Sequence, residues 1–315
     1  MKYLTGFLST VLAALLSCIV CNAGCPQADT IALWNGEAGH HKKDVILQVF
    51  RPEKPNGIGI IVCPGGSYFW LDEKGEGSNV GRWLSSNGVT SFVLNYRTAG
   101  AAEFVWHTRL IFRGIRYPDM IEDAQKALQW VVGHAPEYSV RQDRIGMMGF
   151  SAGGHLVMSA ACFHDSNFLS TGDTGGLDSV PGPSFVAPIY PVVTMNGQYA
   201  HKRSRRGLLG DSKQSRKTLR DSLSLEMHIP ADCPPVFIIN CKDDPVVDFR
   251  NSELLDSALT VKGIEHKYIQ YQTGKHGFGV SDHYGSPECR EWRNEFLKWL
   301  QDLFPDCFKD YSESL

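Results

Sequence analysis

Short apolar runs that read as strands alternate with stretches of helical spacing along most of the chain, and this rhythm constrains the fold more than any other feature. The strand-like runs are residues 45–50, 58–62, 89–96, 144–150, 185–190, 236–241 and 267–271. Between and after them, residues 79–86, 118–132, 152–162, 251–261 and 291–304 have helical spacing. The clearest helix, 118–132, opens on Pro118 and repeats Met120, Ile121, Ala124, Ala127, Leu128 and Val131 at i, i+3, i+4 intervals. Strands that are apolar throughout are buried on both sides. Their alternation with helices predicts an α/β fold, a mainly parallel sheet with helices on both faces. Residues 98–117 and 197–228 break the rhythm. Both are long and polar for ordinary connections, which predicts lid-like insertions over the strand ends.

The 315 residues suffice for one large domain or two modest ones, and no linker or composition shift divides residues 24–315, which read as a single domain. With 43% hydrophobic and 21% charged residues, a disordered or fibrous chain is excluded. A formal charge of −3 argues against a nucleic-acid partner, which would need a broad basic face. Residues 1–23 differ in kind: Lys2 is a positive start, residues 3–20 carry no charge, and Ala23 is a small residue suited to a cleavage site. The segment reads as a secretory signal. Leu15-Leu16-Ser17-Cys18 has the form of a lipobox. Processed that way, Cys18 would carry lipid and tether a secreted or periplasmic protein to a membrane face. Later segments are too polar to span a bilayer. The nine cysteines show no zinc-ribbon spacing after residue 23, so no metal is expected. Cys289 and Cys307 flank one helical segment and are candidates for pairing.

The chemistry centres on Gly149-Phe150-Ser151-Ala152-Gly153, a G-x-S-x-G pattern between the strand at 144–150 and the small-residue helix at 152–162. The chain must turn sharply at Ser151, and side chains at 149 and 153 would collide, so glycine is needed at both. A serine helix cap between two glycines is the bland alternative; the strand–turn–helix setting favours a nucleophile. His276, in Gly274-Lys275-His276-Gly277, follows the last strand and suits a general base. His155, one turn into the helix after Ser151, reads as a packing residue. Either Asp243 or Asp244, beyond the strand 236–241, could orient the base. Asp244, followed by Pro245-Val246-Val247, fits better. The order Ser151, Asp244, His276 is nucleophile, acid, base. Oxyanion donors are expected from the Ala152 N–H and from Gly66 and Ser67, in the turn Cys63-Pro64-Gly65-Gly66-Ser67-Tyr68.

These motifs resemble those of the α/β-hydrolase superfamily, and more narrowly those of bacterial secreted esterases similar to acetylxylan esterases. The likeness extends over nearly all of residues 24–315. It takes in Asn95-Tyr96-Arg97, Asp123-Ala124-Gln125, Arg144-Ile145-Gly146, Tyr190-Pro191-Val192, Leu208-Leu209-Gly210 and His276-Gly277-Phe278-Gly279. Two positions depart from the pattern: Ser67 stands where a third glycine is usual, and Asp248 where a proline is usual. The resemblance implies a secreted serine esterase acting on small acyl esters, chiefly acetyl, of an acylated carbohydrate, with no cofactor. Tyr68, Trp70, His201 and Arg205 are the expected substrate contacts, with Trp106 a further aromatic near the mouth. The basic run Lys202, Arg203, Arg205, Arg206, Lys213, Arg216, Lys217, Arg220 is either solvated surface or a rim that draws an acidic substrate. The competing readings are a prolyl-oligopeptidase-like peptidase, which usually carries a large extra domain, and a non-catalytic carbohydrate-binding relative, which the intact triad disfavours.

Overall fold

Eight strands form one sheet in the order β1-β2-β4-β3-β5-β6-β7-β8 in a computed structural model that describes residues 29–34, 42–169 and 181–308. The strands are β1 (Asp29–Ala32), β2 (Ile46–Phe50), β3 (Gly59–Cys63), β4 (Thr90–Asn95), β5 (Ile145–Phe150), β6 (Val186–Ile189), β7 (Val236–Cys241) and β8 (His266–Tyr271). From β4 along the sheet to β8 every neighbouring pair is parallel; at the other edge β2 pairs antiparallel with both β1 and β4. The leader and Cys18 lie outside the described residues. Among the described residues no helix is long and apolar enough to cross a membrane.

The helices are α1 (Asn79–Ser86), α2 (Ala101–Trp106), α3 (Asp119–His134), α4 (Ala152–Cys162), α5 (Lys202–Leu209), α6 (Lys217–Ser222), α7 (Arg250–Lys262), α8 (Pro287–Arg290) and α9 (Trp292–Leu303). The alternation of side chains along each strand divides the core in two. In β3, Ile61 and Cys63 face the layer formed by α3, α4 and α7. Ile60 and Val62 face the opposite layer of α1 and α9. In that second layer Phe296 is fully buried against Trp83, Phe237 and Trp299. Truncating such a ring costs about 3–5 kcal/mol, so α9 is a principal clamp on the sheet.

Two of the motifs named above meet at the end of β4. Arg97, just past the strand, donates from its backbone N–H and its Nε to Asp123 of α3 at 2.8 and 2.9 Å. The indole of Trp34 adds a bond of 3.0 Å. Burial still pushes the Asp123 carboxyl up to about 6, because desolvation outweighs these partners. This cluster fixes the strand end that leads into the first insertion.

The two insertions brace one another. Arg206 of α5 donates to the carbonyl oxygens of Glu103 and Phe104 in the first insertion, and Arg109 donates to Gly207 O at 2.8 Å. Helix α5 also presses on the turn after β3, where a Cβ at Gly207 would sit 2.1 Å from Ser67 O. Residues 197–228 thus lie against the segment that carries Gly66 and Ser67.

Candidate active site

Ser151 occupies the turn between β5 and α4 with φ 54° and ψ −115°, a strained conformation for a side chain with a Cβ. The glycines make that turn feasible. A Cβ at Gly149 would meet Gly153 O at 2.1 Å, and one at Gly153 would meet Cys63 O at 2.0 Å. The sharp turn therefore depends on close contact between three backbone segments, which no side chain at 149 or 153 would permit.

His276 bridges the other two groups. Its Nε2 lies 2.9 Å from Ser151 Oγ and its Nδ1 lies 2.6 Å from Asp244 Oδ2. The second Asp244 oxygen accepts from the amides of Val246 and Val247 at 2.8 and 3.0 Å. Asp243 does something else. Its Oδ1 accepts from Gly274 N and Lys275 N, both at 2.9 Å, and so anchors the loop that carries His276. The two adjacent aspartates share one task at different distances: Asp244 touches the imidazole and Asp243 holds its backbone.

The turn after β3 lies across Ser151 as a strap. A Cβ at Gly65 would come within 2.9 Å of Ser151 Cβ, and one at Gly66, φ 137°, within 2.1 Å of Trp70 O. Ser67 follows at φ 58° and Tyr68 at φ 63°. Ala152 opens α4, so its N–H has no preceding turn to bond to. Ser67 Oγ accepts from Arg203 Nε at 2.9 Å, and the Arg203 guanidinium stands 5.6 Å from the Trp70 ring.

The expected substrate contacts divide. His201 borders a cavity of about 520 Å³ with Tyr199, Arg203, Pro245 and Asp248. Burial pulls its imidazole down to about 4, and the charges of Arg203 and His276 add to that. Trp70, 40% exposed, borders a second cavity, of about 650 Å³, with Phe69 and Asn95. Tyr68 must be corrected: it is fully buried and its hydroxyl bonds His155 Nδ1 at 2.8 Å, so it supports the strap from behind. Arg205 likewise turns inward to Met195 O at 3.2 Å. Arg203, two residues earlier on α5, is the arginine that reaches the strap. Of the basic run, Arg206 and Lys217 pair with Asp211 and Asp221, and Lys202 and Arg203 line the cavity of about 520 Å³. His155 is buried as expected, its Nε2 against Leu223 O at 2.9 Å. Cys289 approaches Cys241, not Cys307, with its sulfur at 3.4 Å, and these cysteines are free thiols. His164, Asp165 and Asp232 form a partly exposed group within metal-ligand reach, and it shares no residue with the Ser151 relay.

Sequence reasoning missed a buried carboxyl beside this relay. Glu76 lies in a turn of π-helix, Glu73–Ser78, where a charged, glycine-rich stretch reads as plain loop. Its oxygens accept from Gly65 N at 2.7 Å and from the Tyr190 hydroxyl at 2.8 Å. The one available signal was the position of a glutamate between two glycines just after the strap.

A mostly parallel sheet, a strained serine at the end of β5, and an acid and a histidine after β7 and β8 define an α/β-hydrolase. The chain belongs to the BD-FAE family, whose sequence profile matches residues 47–259. It is 29% identical over 81% of its length to an acetylxylan esterase of Xylanibacter ruminicola, and 29% identical over 71% to endo-1,4-beta-xylanase B of Butyrivibrio fibrisolvens. The chain spans 46% and 33% of the lengths of these two curated relatives. A solved acetyl ester-xyloside bifunctional hydrolase of Caldicellulosiruptor lactoaceticus superposes with a TM-score of 0.74 at 28% identity, covering 88% of this chain and 97% of the other.

Proposed function

We propose that the protein is a secreted serine esterase that removes small acyl groups, chiefly acetyl, from polysaccharide, with residues 24–315 acting as one catalytic domain. The observation that carries this reading is the single imidazole of His276 placed between Ser151 Oγ and Asp244 Oδ2 at 2.9 and 2.6 Å. Ser151 Oγ attacks the ester carbonyl while His276 Nε2 takes its proton. Asp244 holds the Nδ1 proton and stabilises the imidazolium. The carbonyl oxygen, now an anion, is received by the N–H groups of Ala152, Gly66 and Ser67. His276 then protonates the departing sugar hydroxyl. Water enters, gives its proton to His276 and attacks the acyl group, and Ser151 leaves with the proton restored.

The names of the relatives support an acetylated xylan or a similar acylated carbohydrate as substrate. Trp70 offers a flat face for a sugar ring, and Lys202 and Arg203 give the mouth a positive rim suited to acidic side groups on the polymer. The leader, a positive Lys2 followed by an uncharged apolar run and a small-residue end, supports export, where such polymers are met. Acetate release from a panel of acetylated polysaccharides, run beside a panel of chromogenic peptides, tests the reading. Acetate release without peptide cleavage is expected; cleavage of peptides alone would sink it.

A further inference from the structure

We propose that Glu76 is a positioning residue of this site, an ionised carboxylate that holds the oxyanion strap with one oxygen and, through Tyr190, the His276 loop with the other. The inference rests on the esterase reading above and adds a part to it. Gly65 N–H, at the root of the strap, donates to Glu76 Oε2 at 2.7 Å. The Tyr190 hydroxyl donates to Oε1 at 2.8 Å and accepts from Gly279 N at 3.1 Å. Gly279 lies three residues beyond His276, and the Trp292 indole fixes its carbonyl at 3.0 Å. The Tyr190 ring itself stands 4.7 Å from the His276 ring. The π-turn also touches the loop directly, since a Cβ at Gly279 would meet Gly75 O at 2.8 Å.

The donors favour the ionised form. Gly65 N–H can only donate, and the Tyr190 hydroxyl, already accepting from Gly279, turns its own proton to Glu76. Both carboxylate oxygens therefore accept. Glu76 is 5% exposed, and burial pushes its carboxyl up, while Tyr190, the nearby His276 charge and Gly65 pull it back. Asp72 opposes them from the same turn, and Tyr96 faces it from the end of β4. His276 is in turn faced by Asp244, Tyr190 and His201. A buried carboxylate that spans oxyanion donors and base can set their separation, the dimension along which charge moves in acyl transfer. It also favours the imidazolium that forms there. The π-turn that delivers it is a rare conformation, concentrated at functional sites.

Glu76→Gln separates this role from simple packing. The amide keeps the shape but can accept from Gly65 or from Tyr190, not from both, and it carries no charge. We expect kcat on a small acetyl ester to fall about 10- to 100-fold with KM little changed, because the loss is one of alignment. The acid limb of kcat/KM should move to lower pH by about half a unit, since an imidazole that loses a neighbouring anion is harder to protonate. Tyr190→Phe cuts the link to Gly279 but keeps the charge, so kcat should fall while the limb stays in place. A folded Glu76→Gln enzyme with wild-type kcat and an unmoved limb overturns the proposal. If that variant does not fold, unchanged kcat in Tyr190→Phe overturns it. Ser151→Ala run alongside keeps the two readings apart: activity surviving there sinks the esterase reading, whereas an inert Ser151→Ala beside an unaltered Glu76→Gln sinks this proposal alone.

Discussion

At the scale of single residues, the adjacent aspartates give the sharpest contrast. Asp244 meets the imidazole itself, so Asp244→Asn should cost about 10⁴-fold in kcat by presenting the wrong hydrogen-bonding face to Nδ1. Asp243→Asn retains an Oδ1 that can still accept from Gly274 and Lys275. Exchanging a charged acceptor for a neutral one should cost it no more than about tenfold. Steady-state rates on p-nitrophenyl acetate rank the two, and the reverse order would move the acid to Asp243. His155 makes a separate statement about pH. Burial pulls its imidazole down to about 4, from an ordinary 6.5. Below pH 6.5 the unfolded chain takes up a proton that the folded state refuses, so stability is full above that value and drains away toward pH 4. The loss amounts to about 3 kcal/mol. Melting temperature should therefore fall steeply across this window in the native enzyme and less steeply in His155→Gln; equal slopes would contradict the assignment.

Elements show how far the sequence could be read. Apolar strands such as 58–62 and 236–241 stand within a residue or two of β3 and β7, because a buried parallel strand has no other composition available. β1 left no signal: it is four residues long, sits at the sheet edge and is mostly exposed. The 197–228 insertion was legible as an irregularity, but its short helices were not, since α5 is held by contacts with the strap and the first insertion and α6 is only six residues long. Ser151, Asp244 and His276 were legible because each follows a strand at a fixed offset. Glu76 and Tyr190 were not, since their meeting spans 114 residues and neither sits in a periodic pattern. Tyr68 looked like a mouth residue from its place in the strap, but a positive φ there turns its ring into the core. The strap is also where an element-scale prediction belongs. Gly66→Ala would force a methyl group into the Trp70 carbonyl and disturb the amides beside it. A loss of about 100- to 1000-fold in kcat/KM is expected, with far-UV circular dichroism unchanged. Near-native activity would remove the strap from the mechanism.

For the whole molecule, the sheet serves as a frame on which four separate segments converge. The strap comes from β3, the serine from β5, the acid from β7 and the histidine from the loop after β8. The two insertions lie at this end of the frame, where Arg203 bonds Ser67 and His201 stands beside the cavity of about 520 Å³. In the mechanism proposed above, all of these parts serve one covalent step at Ser151. Intact-mass spectrometry after treatment with a fluorophosphonate, followed by peptide mapping, tests it most directly. A single adduct is expected on the peptide containing Ser151, formed in step with loss of esterase activity and absent from Ser151→Ala. An adduct elsewhere that tracks inactivation, or undiminished hydrolysis in folded Ser151→Ala, would contradict it.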